Sequence, residues 1–182
     1  MEKERVYVNS GSSLSNYLTK MKGGTGSAPS YTIKDTLISG FGGLIAISVI
    51  SCLTLLSGFP CLMASLGGSC VLAFCIYKSP FAQPRSIIGG HVVSTTAGLV
   101  ILRLLGNGWW SIALAICLAI WGMMMLGTVH PPAGANPIIV ITTGANWYFL
   151  LYPVLIGSIA LVLIALTYNN LFKDRQYPQY WW

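Results

Sequence analysis

Polar and apolar positions fall into long blocks along this chain instead of alternating. Residues 1–35 are polar, rich in Ser, Gly and Lys, with GGTGSAPS at 23–30. Six apolar stretches follow. Residues 36–57 form a full-length span by the usual measure of about twenty residues, with Asp35 or Thr36 predicted to start the helix. Residues 60–77 are slightly short and open on a proline, which the first helical turn tolerates. After a turn at 78–85, residues 87–105 make a third span, closed by Gly106, Asn107 and Gly108. Residues 109–126 open on a tryptophan pair suited to a membrane interface. Residues 131–143 would be only about 20 Å long even if wholly helical. Residues 147–171 are the last, with an aromatic start. The pattern predicts an all-α polytopic membrane protein whose second and fifth segments are short or broken.

Composition sharpens this. Of 182 residues, 54% are hydrophobic and 8% charged, with a mean hydropathy of +0.70, whereas a soluble domain carries about a quarter charged residues. Between Thr36 and Phe172 only Lys78, Arg85 and Arg103 bear a full charge, so no water-facing surface can be built there. Five of the ten basic residues (Lys3, Arg5, Lys20, Lys22, Lys34) precede the first span and Lys173 and Arg175 follow the last. Basic flanks around an apolar body act as topology signals, and no nucleic-acid partner is expected. The expected divisions are a polar cytoplasmic tail at 1–32, a transmembrane domain at 33–172 and an aromatic tail at 173–182. No apolar run suited to a cleaved signal peptide lies in the first 35 residues.

With the N-terminus inside and six crossings, both tails and the 78–85 loop share one side, and the uncharged turns at 58–59, 106–108 and 144–146 share the other. Arg103 is the exception, and its long side chain can snorkel. Five crossings would put Lys173 and Arg175 outside, against the positive-inside rule; a re-entrant fifth segment fits nearly as well. Offsetting the chain by 67 residues lays Ser65-Leu66-Gly67-Gly68-Ser69-Cys70 on Pro132-Ala133-Gly134-Ala135-Asn136-Pro137. Two three-crossing units would form an inverted repeat, as in many transporters, and bring the second and fifth segments together.

Candidate chemistry sits in three clusters. In His130-Pro131-Pro132-Ala133-Gly134-Ala135-Asn136-Pro137 the prolines interrupt the helical ladder. Freed backbone groups survive at membrane depth only where protein or a wet cavity satisfies them. Gly134 and Ala135 permit close approach, His130 and Asn136 offer side-chain donors, and a helix starting near Pro131 would aim N–H groups at an anion. The alternative is a tight turn at the membrane surface. Gln83-Pro84-Arg85 puts a cation where an anion would arrive, or supplies an ordinary topology arginine. His91, one turn inside the third span, needs a polar partner. Gly90, Ser94 and Gly98 form a small-residue stripe for helix packing. Ser65, Gly67, Gly68 and Ser69 would face the proline-rich segment if the repeat holds.

Enzymatic readings lose their residues. No Asp or Glu lies between Asp35 and Asp174, which removes paired-carboxylate chemistry, a Ser–His–acid triad and carboxylate-bound metal from the apolar body. Cys52, Cys61, Cys70, Cys75 and Cys117 lack zinc spacing and read as small buried hydrophobes. No metal and no cofactor are expected. The same absence leaves His91 and His130 as the titrating groups of the body near neutral pH, surroundings that favour a small anion or a neutral solute over a cation.

Gln83-Pro84-Arg85, Gly89-Gly90-His91 and above all His130-Pro131-Pro132-Ala133-Gly134-Ala135-Asn136-Pro137 resemble the HPP family of integral membrane proteins, over roughly residues 33–172. The resemblance implies four transmembrane helices, fewer than the six apolar stretches, and Ser86 stands where asparagine is common in the family. It also implies nitrite transport, as in cyanobacterial and plastid members, with His130, Pro131 and Pro132 as the signature and Gln83, Pro84, Arg85 and His91 as its companion. The expectation is a channel or carrier for a small monovalent anion, nitrite first. The pathway residues would be His130, Asn136, Gly134, Ala135, Ser65, Gly67, Gly68, Ser69, Arg85, Gln83 and His91; Pro131, Pro132, Pro137, Pro84, Gly90, Ser94 and Gly98 would be structural. Transport of a neutral solute or nitrous acid, or a non-transporting membrane subunit, are the rivals. Expected partners are a small inorganic anion, membrane lipids and further copies of the chain, in a bacterial inner or plasma membrane.

Overall fold

The computed structural model describes residues 13–24 and 26–181. It divides into Met1–Tyr31 and Thr32–Trp182. In the first unit, helix α1 (Ser13–Met21) interrupts the expected polar tail; residues 1–12 lie outside the described residues.

Every regular element among the described residues of the second unit is helical. Helix α2 (Ile33–Ser57) starts two residues before the predicted Asp35 because Thr32 caps it: its hydroxyl accepts from the Asp35 N–H at 3.0 Å. The helix stops at Gly58, whose φ of +71° only glycine adopts cheaply. Its buried stripe is narrow (Ser39, Gly42, Ala46, Ile50), while Leu37, Phe41, Leu44, Leu55 and Leu56 stay exposed. An apolar outer face of this kind is what lipid contact requires.

Helix α3 (Ala64–Cys70) continues as a π-wound turn, Val71–Cys75. Helix α4 (Pro84–Leu105) starts on a proline that needs no partner for a missing N–H. Helix α5 (Trp109–Met125) follows. The fifth apolar stretch is broken as expected: a 3-10 turn, Pro131–Ala135, leads into the short helix α6 (Asn136–Thr143). Helix α7 (Ile156–Asn169) is preceded by a π-wound turn, Leu150–Leu155, with non-helical backbone at Tyr152 before Pro153. Among the described residues three helices are long and apolar enough to cross a membrane: Ile33–Ser57, Pro84–Leu105 and Leu150–Asn169. Ala64–Cys75 and Trp109–Met125 are shorter apolar helices. α4 is the hub and packs against α5, α6 and α7.

Charged residues flanking the first and last spans come together. Lys34 pairs with Asp174 at 3.0 Å, the Tyr77 hydroxyl donates to the Asp174 carbonyl, and the Gln179 N–H donates to Gln83 Oε1. Arg103 lies elsewhere, in a cleft shared with Gly144, Asn146 and Trp147.

Within the segment expected as an aromatic tail, Arg175 and Tyr177 pack onto the body. Tyr177 is 1% exposed and donates to the Ala82 carbonyl at 2.9 Å; burial raises its phenol pKa, which keeps the donor proton in place. Arg175, 7% exposed, donates to the Phe74 carbonyl at 2.9 Å and lies within 3.7 Å of the Asp35 carboxylate. The physical reason is local. The π-wound turn leaves carbonyls that need donors, and Ser39 (to Phe74, 2.8 Å) and Asn169 (to Ala73, 3.0 Å) supply the others.

Candidate functional site

The two broken segments meet. Across α3, α4 and the proline-rich turn, Ser65, Ser69, His91, Thr95, His130 and Asn136 form one buried cluster. Ser69 Oγ lies 2.8 Å from Nε2 of both histidines. His130 Nδ1 lies 2.7 Å from the Phe81 carbonyl. Asn136 Nδ2 lies 3.0 Å from His91 Nδ1 and 2.9 Å from Thr95 Oγ1, while its Oδ1 accepts from Ser65 at 2.7 Å. The imidazole rings stand edge to face, 4.9 Å apart.

Donor and acceptor rules fix the protons. A carbonyl cannot donate, so His130 carries its proton on Nδ1 and its neutral Nε2 accepts. An amide NH2 cannot accept, so His91 Nδ1 accepts and its Nε2 carries the proton. Ser69, with a single hydrogen, therefore accepts from His91 and donates to His130. The result is a directed chain: Asn136 to His91 to Ser69 to His130 to the Phe81 carbonyl. Each link has one proton and both histidines are neutral, which is how buried polar groups avoid a desolvation penalty.

Close approach makes the cluster possible. A Cβ on Gly90 would lie 2.5 Å from His130 Cβ and 2.8 Å from the Thr128 carbonyl, and one on Gly98 would lie 2.9 Å from Pro137 Cα. Ser94, between them, donates to the Ala133 carbonyl. The stripe on α4 thus lies against residues 128–140. Gly67 and Gly134 have open space where a Cβ would sit; one on Gly68 would lie 3.1 Å from Pro132 Cβ. The backbone donors expected around Gly134–Asn136 are in part engaged: Asn136 N–H bonds the Ala133 carbonyl and Ala133 N–H bonds that of His130.

Gln83 and Arg85 sit apart from the cluster. Gln83 is fully buried and joins Tyr77, Ser79 and Gln179. Arg85 donates to the Leu126 carbonyl at 2.6 Å. It borders a cleft of about 530 Å³ with largely apolar walls, including Ile88, Gly89, Leu126, Thr128 and Trp181. Gly89 and Thr128 are in contact, and their near neighbours Gly90 and His130 begin the cluster. The Thr128 hydroxyl is buried without a hydrogen-bond partner. Sequence reasoning missed Thr95 and the Phe81 carbonyl. Thr95 is one helical turn from His91, a spacing that puts both on one face; nothing marked a main-chain oxygen 49 positions before His130. Among the described residues no group of three His, Cys, Asp or Glu could hold a metal.

A bundle of apolar helices, partly broken and joined through a buried polar cluster, defines a polytopic α-helical membrane protein. Residues 28–178 match the family described as HPP, transmembrane region, and the chain belongs to that family. It is also similar to two transmembrane proteins of Dictyostelium discoideum, 36% identical over 178 and 156 residues. These alignments cover 91% and 81% of this chain but 57% and 55% of the relatives, so the chain spans little more than half their length. Both relatives are eukaryotic and lend no support to a bacterial membrane. No solved structure matches the chain.

Proposed function

We propose that the protein carries a small monovalent anion, nitrite first, across the membrane, with the Ser69–His91–His130–Asn136 cluster as the gate of the path. The observation that carries this reading is a fully buried set of hydroxyl, amide and imidazole groups where two broken segments meet, in a body without carboxylates. Hydroxyl, amide and imidazole N–H groups replace an anion's hydration, and no fixed negative charge opposes it. Arg85, beside the neighbouring cleft, raises the local anion concentration. An anion passing through displaces the bonds that now close the cluster, above all those of Ser69.

The same reading makes the body an inverted repeat with six crossings, the N-terminus cytoplasmic, assembled from several copies. Adding 67 to the bounds of Ala64–Cys75 and Pro84–Leu105 gives 131–142 and 151–172, against observed segments at 131–143 and 150–169. The shared end of Lys34, Gln83, Asp174 and Gln179 supports it further.

Flux in proteoliposomes tests the reading, with nitrite, nitrate, formate and chloride compared against protein-free vesicles. Absence of flux for all four ends it, and flux that survives both His130→Ala and Asn136→Ala displaces the site. A neutral solute or undissociated acid is the second reading, favoured by the absence of fixed charge in the cluster. Nitrite flux that follows the nitrous acid concentration, while nitrate and chloride do not move, selects it. No flux together with a stable co-purifying protein selects a non-transporting subunit.

A further inference from the structure

The cluster has room for one more proton, and only at one place. Ser69 Oγ has a second acceptor within reach, the Ser65 carbonyl at 3.1 Å. If His130 Nε2 gains a proton, the Ser69 hydroxyl rotates its hydrogen from His130 to Ser65. Ser69 then accepts from both histidines and donates once, which uses its one hydrogen and two lone pairs fully. No heavy atom has to move. His91 has no such freedom: a proton on its Nδ1 would point at the Asn136 NH2, whose orientation is set by the His91 main-chain carbonyl, an acceptor only, 3.4 Å from Nδ2.

Surrounding charge does not compensate a proton there. On the elements packed around His130, α4 carries His91, Arg85, turned to the Leu126 carbonyl, and Arg103, exposed in its last turn; residues 76–83, whose Phe81 carbonyl binds Nδ1, carry Tyr77 and the exposed Lys78; α3 with its π-wound turn carries Cys70 and Cys75; α5 carries Cys117; α6 and the turn before it carry none. An imidazolium buried at this position has no carboxylate to pair with, and a buried charge without a partner is strongly unfavourable. A bound monovalent anion is the partner that removes the penalty. Binding of each then strengthens binding of the other, by the same factor in both directions.

We propose that His130 binds a proton together with the transported anion, Ser69 acting as the switch, so that anion and proton cross as a neutral pair. The inference rests on the transport reading above and adds its coupling. On loading, an O–H bond of hydronium breaks and an N–H bond forms at Nε2, leaving water; the anion joins as counter-ion. On release both steps reverse and nothing is oxidised or reduced.

The test uses the full chain in proteoliposomes, with the membrane potential clamped at zero and the outside one pH unit more acidic. Nitrate and chloride are the decisive probes, because their conjugate acids are too strong to cross a bilayer unaided; nitrite and formate are read against protein-free vesicles. One-to-one coupling accumulates a transported anion about tenfold inside, and H130Q abolishes the accumulation. Flux that settles at equal concentrations whatever the gradient overturns the coupling and leaves transport standing. No flux for any probe overturns both. A second measurement does not depend on flux or on the variant's folding. The chain has two histidines, so ¹⁵N-histidine labelling of protein without a histidine tag reports two rings. Adding nitrite at pH 6 converts to imidazolium the ring that starts with its proton on Nδ1, which is His130, while the other stays neutral with its proton on Nε2. Protonation of His91 instead, or of neither ring, refutes the proposal.

Discussion

Gly90→Ala is the most direct probe of how the cluster is held. The added Cβ would stand 2.5 Å from His130 Cβ and 2.8 Å from the Thr128 carbonyl oxygen, where carbon atoms in contact prefer about 3.5–4.0 Å. Neither neighbour is the end of a flexible side chain. The segment from Thr128 to His130 must therefore withdraw by roughly an ångström, on that same contact distance. His130 is pinned on both ring nitrogens, at 2.8 Å to Ser69 and 2.7 Å to Phe81, and both bonds do not survive such a shift. Overpacking costs about 1–3 kcal/mol and a lost hydrogen bond about 1 kcal/mol, about 2–4 kcal/mol together. At about 2–4 °C per kcal/mol for a chain of this size, the melting temperature falls by about 4–16 °C. Size-exclusion chromatography of detergent-solubilised protein after stepwise heating measures it. Gly67→Ala is the matched control: it has no atom within 4 Å of the new Cβ and gains about 0.5–1 kcal/mol of helix preference. A Gly90→Ala protein that melts with the wild type, or a Gly67→Ala protein that loses as much, refutes the reasoning.

Arg175→Gln removes donors from Phe74, Asn169 and Ser39 and is expected to cost about 2–4 kcal/mol in the same melting assay; Arg175→Lys recovers part of it, since one ammonium cannot replace a planar fork. Asn136→Asp puts an acceptor against His91 Nδ1, which then needs a proton. A proton held between the carboxylate and the ring closes that contact, so the stability it adds is present at low pH and lost as pH rises. The variant is expected to melt higher at pH 6 than at pH 8, by more than the wild type does, and equal differences contradict the assigned proton order. Single cysteines in a cysteine-free background, at Lys20 and at Tyr180, are expected to label from the same side of the membrane; labelling from opposite sides sinks the six-crossing topology.

Hydropathy and charge placement determined the class of protein and the approximate bounds of its apolar segments, because lipid solvation acts on composition averaged over about twenty residues. Prolines marked the broken fifth segment, since a missing donor disrupts a helix wherever it falls. That Ser65, Ser69, His91, His130 and Asn136 need hydrogen-bond partners was legible for a related reason: a polar group in so apolar a stretch demands one. Which partner each takes was decided by tertiary structure alone. The proton order depends on a main-chain oxygen at Phe81 and an amide orientation set by the His91 carbonyl, and no local pattern encodes either. The same holds for Arg175, which reads in the sequence as a topology charge. In the fold it satisfies a carbonyl left by a π-wound turn, a position created only when α2, α3 and α7 pack together.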